Sequence, residues 1–274
     1  MSTATGSSTA TGVAPVSFVR VPRSEWIKLW SLKSTYWTVL ATLAAMVLIG
    51  VMMGAASLVE EAGAGPDGRM AIGMGYSFAQ VVVAVLGTLI ITGEYTTGMI
   101  RSTLAAVPRR LPVLAAKAVL VSGVGFALGI LGVALAYVAS YPLLGSGSAA
   151  DLADPEVQRI FWGTGLYLAG VGLLGLGIGA LLRHTAGAIT ATLGILLMLS
   201  TVVQLLMMTS DVFAKVYPYL PSTAGERIAA PEAAATAVAG APEALAPWAG
   251  YGVFMVYVAA VLLAAAVLLR RRDA

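Results

Sequence analysis

The sequence predicts an all-α, polytopic membrane protein with six transmembrane helices, and three observations carry that prediction. Of 274 residues, 59% are hydrophobic and only 11% charged, with a mean hydropathy of +0.89. A soluble domain is about 45–50% apolar and about a quarter charged. Six apolar stretches of 21 to 23 residues contain no Asp, Glu, Lys, Arg or His: Tyr36–Leu58, Ile72–Thr92, Ala118–Ser140, Ile160–Leu182, Ala186–Met208 and Ala249–Leu269. As helices rising about 1.5 Å per residue, each crosses a hydrocarbon layer of roughly 30 Å. The third observation is that the basic residues alternate from loop to loop.

With the N-terminus inside, twelve of the sixteen Lys and Arg residues fall on the inner side, and only Arg69, Arg159, Lys215 and Arg227 fall outside. Of the acidic residues, Glu25, Glu94 and Asp273 alone are inside. The positive-inside rule therefore places both termini in the cytoplasm. Trp26, Trp30, Trp37, Trp162 and Trp248 flank spans one, four and six, where amphipathic rings sit at the headgroup boundary.

The elements follow in order. Residues 1–20 form a tail whose opening is rich in Ser, Thr, Gly and Ala and reads as disordered. It lacks the charged start and apolar run of a cleavable signal, so span one is expected to be retained. Residues 21–35 read as an amphipathic helix in the membrane interface. Trp26, Leu29, Trp30 and Lys33 recur at helical spacing, with Arg23, Lys28 and Ser31 elsewhere on the wheel. Residues 36–274 form the membrane domain.

Between spans two and three runs Gly93–Arg110, GEYTTGMIRSTLAAVPRR. Ile100, Thr103, Leu104 and Val107 form one helical stripe, with Arg101 and Ser102 off it; Gly98 and Pro108 bound the helix, and Glu94 and Tyr95 stand at the membrane edge. A short cytoplasmic helix that docks another protein is the preferred reading, and a membrane-surface helix the alternative. Span four is dense in glycine and reads as the main packing face. In span five, Thr190, Ser200, Thr201 and Gln204 either line a substrate path or bond across helices. Thr209–Trp248, at 40 residues, is too short for a catalytic domain of the usual ~100 residues.

Several functions are excluded. There is no Cys, so disulfides and thiol catalysis are out. One His, His184, reads as a solvated interfacial residue, and no metal site or catalytic set is expected. The net charge of +3 follows the membrane rather than a nucleic-acid face. No phosphate-cradling Gly-rich loop followed by Lys and Ser/Thr occurs, so any ATP and Mg must be bound by another chain. The absence of charges within the spans argues against a proton- or sodium-driven pump and against an ion channel.

A juxtamembrane SEW-K-L-S helix, six spans, an E-Y-x-x-G…R-x-x-L-x-x-x-P-x-R segment after span two, YLPSTAG at Tyr219–Gly225 and a terminal RRDA together resemble the ABC-2-type permeases of bacterial ABC exporters. The resemblance covers the chain after the tail. It implies an elbow helix with roles for Glu25, Trp26, Lys28, Leu29, Trp30 and Lys33. It also implies a coupling helix that contacts a separate ATPase subunit through Glu94, Tyr95, Gly98, Ile100, Arg101, Leu104 and Pro108. Met99 stands where many relatives carry Thr. Re-entrant helices before the last span are typical of such proteins, and Thr209–Trp248 has the length for them.

The resulting expectation is a permease subunit in a bacterial plasma membrane. Two copies of the chain would assemble with two ATPase subunits and export an amphipathic or lipophilic cargo of drug, lipid or peptide type. A secondary drug transporter and a non-transporting immunity or sensor protein are the alternatives.

Overall fold

The computed structural model describes residues 20–31, 33–58, 66–100, 110–144, 149–236 and 243–271, and they are helical with no strand among them. Helix α1 (Arg20–Ser31) precedes span one, α2 (Lys33–Ala56). Span two is broken: α3 (Gly68–Gly73) and α4 (Tyr76–Thr96) meet at Met74–Gly75. Span three is α5 (Arg110–Ser140) and span four α6 (Pro155–Leu182). Span five comprises α7 (Thr185–Leu193), a π-helical turn at Gly194–Met198 and α8 (Leu199–Met207). Three short helices follow: α9 (Asp211–Val216), α10 (Pro221–Glu226) and α11 (Glu232–Thr236). Span six is α12 (Pro247–Arg271). Six helical segments are long and apolar enough to cross a membrane, so this is a multi-pass membrane protein with both ends of the described chain on one side of the bundle. That side is called the terminal end below, and the opposite side the far end.

The expected boundaries need three corrections. Helix α1 ends at Ser31, and Lys33 already belongs to span one. Span three starts at Arg110 rather than Ala118, which moves Lys117 out of a loop and two turns into the helix. Span two starts at Gly68, because Asp67 accepts from the Met70 amide and caps α3. The tail, apart from Arg20, and residues 101–109 lie outside the described residues.

Span four is the most enclosed helix; spans one, five and six are the most exposed. Its glycines explain why. Lipid gives apolar helices no hydrophobic reason to associate, so close backbone approach must supply the attraction. Gly172 and Gly87 meet so closely that a Cβ on Gly87 would stand 2.1 Å from the Gly172 carbonyl oxygen. A turn further on, Gly175 and Gly179 receive span two at Ala84 and Thr88, and Gly129 of span three lies on Gly165. The Thr88 hydroxyl donates to Ala84 at 2.9 Å and to Gly175 at 3.3 Å, tying the two helices through a backbone carbonyl. Gly87→Leu is therefore expected to destabilise the purified protein by about 1–3 kcal/mol or more through overpacking. Gly123→Leu, where a side chain meets nothing within 4 Å, is expected to be neutral. Thermal unfolding in detergent distinguishes them.

At the far end, the first turn of α6 is capped by Asp154, whose side chain accepts from the Glu156 amide, with Pro155 in the opening position. Arg69 of α3 pairs with Asp154, and with Glu156 at 3.3 Å. Arg159 donates to the carbonyls of Arg227, Ile228 and Ala230 at 3.0, 3.1 and 3.0 Å and so holds the turn after α10. Helix α10 does not lie on the surface. Gly225 packs on Phe254 and Tyr167, and the Ala224 carbonyl lies on Gly250. Phe254 is seven residues into α12, so α10 dips about 10 Å below that helix's far end. Trp26, Trp37 and Trp248 are exposed at or beside span ends, as anchors require, and Trp162 is exposed two turns into span four.

Candidate functional site

Among the described residues, a polar cluster forms at the terminal end where α1, span two and span three converge. Helix α1 ends at Ser31, and the Thr35 hydroxyl of span one donates back to the Leu29 carbonyl at 2.6 Å, fixing the corner between the two helices. That corner buries Leu29 and turns Glu25 and Lys28 toward the bundle, while Trp26 stays exposed. Trp30 lies between Trp26 and Tyr36, tilted against the first and edge-on to the second, with ring centroids 5.6 and 5.5 Å apart.

Lys117 is 1% exposed, and its ammonium uses all three protons: Glu25 Oε2 at 2.5 Å, Glu94 Oε1 at 2.9 Å and the Ile90 carbonyl at 3.3 Å. Lys28 donates to Glu25 Oε1 at 2.8 Å and to Glu94 Oε1 at 3.0 Å. Two carboxylates and two ammonium groups thus form a neutral ring. Glu25 spends one oxygen on each lysine, and Glu94 offers one oxygen to both. Burial opposes ionisation of Glu25, but Lys117 and Lys28 beside it hold its carboxyl below the ordinary carboxylate range. Burial likewise opposes the charge on Lys28, and its bonds to Glu25 and Glu94 hold the ammonium above its ordinary range. Beside the ring is a cavity of about 220 Å³ with an apolar wall that includes Leu29, Leu89, Ile90 and Leu120.

Residues 94 to 96 connect span two to four other helices. Glu94 reaches α1 and span three as described. The Arg183 guanidinium, on the left-handed residue that ends span four (φ 54°), lies 5.3 Å from the centre of the Tyr95 ring. Thr96 and Thr185 of span five share a hydrogen bond at 3.1 Å. Gly98 then turns with φ +72°, a conformation that favours glycine, and the helix resumes at Met99. The E-Y-x-x-G signature is thus a hub and a hinge in one short stretch.

The expected site residues fare unevenly. Glu25, Lys28, Leu29 and Glu94 come together, and Tyr95 and Gly98 adjoin them. Lys33 is exposed at the start of span one and takes no part in the ring. Ile100 is 5% exposed. Arg101, Leu104 and Pro108 lie outside the described residues. In span five, Thr190, Thr201 and Gln204 are exposed on the bundle's outside and Ser200 is half-buried. The hydroxyls of Ser200 and Thr201 both donate to the Leu197 carbonyl of their own helix. His184 is exposed and accepts from the Gly187 amide at 3.1 Å as the cap of span five. Among the described residues, no group of acidic residues and histidine is placed to hold a metal ion.

Lys117 was the member of the ring hidden in the sequence. Its signal is a single lysine in LPVLAAKAVLV, apolar on both sides, since a cation two turns inside such a helix needs a buried partner. Searches against protein-family models and against curated proteins give no match to this chain.

Proposed function

We propose that the chain is the permease subunit of an ATP-driven exporter of the ABC-2 kind. Two copies would work with two separate ATPase subunits in a bacterial plasma membrane, with the terminal end cytoplasmic. The observation that supports this most is the hub at residues 94 to 96. A segment that receives force from an ATPase must pass it to the spans, and span two contacts α1 and spans three, four and five immediately before Gly98. The ion-pair ring makes the interfacial helix and the start of span three move with that stretch. The basic bias toward the terminal end supports the orientation. The sequence has no phosphate-binding loop of its own, so ATP and Mg belong to the partner. Spans without ionisable residues in their middles suit an amphipathic or lipophilic cargo.

Transport in inverted vesicles tests the reading. Vesicles containing this chain and its ATPase are expected to accumulate lipophilic amphiphiles only when ATP is supplied. Accumulation driven by a proton gradient and abolished by an uncoupler, with no need for ATP, would identify a secondary transporter instead.

A further inference from the structure

The cavity beside the ion-pair ring changes from charged to apolar along its length. Its wall follows span two from Thr97 at the terminal end, past Gly93 and Glu94, to Leu89, eight residues and about 12 Å further in. Span three repeats the order, with Lys117 nearer the terminal end and Leu120 a turn deeper. Charge outermost and hydrocarbon innermost is the order of headgroup and chain in a lipid of the leaflet on that side. At about 220 Å³ the space exceeds the roughly 150 Å³ that holds a benzene ring in a dry apolar core. The backbone leaves it open at Gly93, where a Cβ would meet nothing within 4 Å.

The ring is balanced in charge but not in hydrogen bonds. Lys117 uses all three ammonium protons inside the protein. Lys28 is half-buried and uses two of its three, on Glu25 and Glu94. Glu94 is 4% exposed and gives its Oε1 to both lysines, while its Oε2 is buried without a hydrogen-bond partner. A buried carboxylate oxygen left unpaired is costly, and such groups are few in folded proteins. The ring therefore lacks one acceptor at Lys28 and one donor at Glu94. The two needs are adjacent, since Lys28 Nζ lies 3.0 Å from Glu94 Oε1.

We propose that this cavity binds a phospholipid whose headgroup joins a phosphate to a primary ammonium, a phosphatidylethanolamine. The phosphate takes the remaining proton of Lys28, the ammonium donates to Glu94, and the start of an acyl chain lies against Leu89, Ile90 and Leu120. A zwitterion suits a ring of two carboxylates and two ammonium groups, whereas phosphatidylglycerol brings a net charge that the ring does not answer. Phosphatidylcholine has the same charges as the proposed ligand, but its quaternary ammonium carries no N–H and leaves Glu94 unpaired. The bound lipid touches α1, span two and span three together, and so stabilises the junction that the ring forms.

Competition between lipids tests the site. The purified full chain, stripped of lipid in detergent, is mixed with equal amounts of phosphatidylethanolamine and phosphatidylcholine of matched chains, and the lipid retained is counted by native mass spectrometry. Wild type is expected to hold one phosphatidylethanolamine in preference by about tenfold or more, the order of one hydrogen bond to a charged group. Gly93→Leu fills the open space and removes no contact of the ring. It is expected to abolish the preference without lowering thermal stability in lipid-free detergent, since leucine is the better helix former. Leu89→Trp, at the exposed inner end of the cavity, gives the same comparison if Gly93→Leu does not fold. Equal retention of the two lipids by wild type overturns the proposal, and so does a preference that both variants keep, which places the lipid elsewhere on the chain. Displacement of the lipid by an equal concentration of dodecylamine would make the occupant a cationic amphiphile and likewise overturn it. No ATPase or nucleotide enters the measurement, so this site and the permease reading fail separately.

Discussion

Lys117→Met is expected to destabilise the purified protein by about 3–5 kcal/mol, because it leaves Glu25 and Glu94 buried with only the half-exposed Lys28 to answer two charges. The methionine fits the space, so lost packing contributes little; the cost is the uncompensated carboxylates. Neutralising the carboxylates as well, in Glu25→Gln/Glu94→Gln/Lys117→Met, is expected to recover most of the loss, since a buried ion pair replaced as a unit is often near neutral. Thermal or denaturant unfolding in detergent measures both. Equal damage in the single and triple variants would mean that Lys117 acts by shape and not by charge. Glu94→Ala is expected to resemble Lys117→Met, because Glu94 is 4% exposed and bonds both lysines.

Arg101→Glu is expected to abolish association with an ATPase while the permease still inserts and folds. By sequence, Arg101 lies off the apolar stripe of Ile100, Thr103, Leu104 and Val107, and on the coupling reading its charge would meet the partner. Reversing an interface arginine removes a hot-spot contact and adds repulsion, together worth 2 kcal/mol or more, roughly 30-fold in affinity. Affinity capture of the chain with its ATPase, wild type against variant, reads this directly. Capture at wild-type yield would transfer preference to a membrane-surface role for the segment.

The six spans were legible because a bilayer admits few solutions: charge-free runs of one length, with basic residues at alternate ends. The glycine face of span four was legible for a related reason, since close helix packing in lipid needs small residues. The ring at the terminal end was only half legible. Glu25, Lys28 and Glu94 each stood out in an amphipathic or juxtamembrane setting. Lys117 did not, because placing the start of span three by hydropathy stops at the first charge, and here the charge lies inside the helix. Helix α10 was concealed differently. Its segment, YLPSTAGER, has the composition of a loop, and its place in the bundle comes from Gly225 packing on Tyr167 and Phe254, 58 and 29 residues away in the chain. In span five, Thr190, Thr201 and Gln204 stand out by polarity, and the structure leaves all three exposed.

The central claim is that this membrane chain works under the control of a separate ATPase. The most direct measurement is capture of the tagged chain from its native membrane in mild detergent, followed by assay of the eluate for vanadate-sensitive ATP hydrolysis. The account predicts an ATPase subunit in equal amount to the chain, with turnover that disappears from the Arg101→Glu eluate. A folded, monodisperse chain that carries no ATPase and shows no ATP hydrolysis would contradict it.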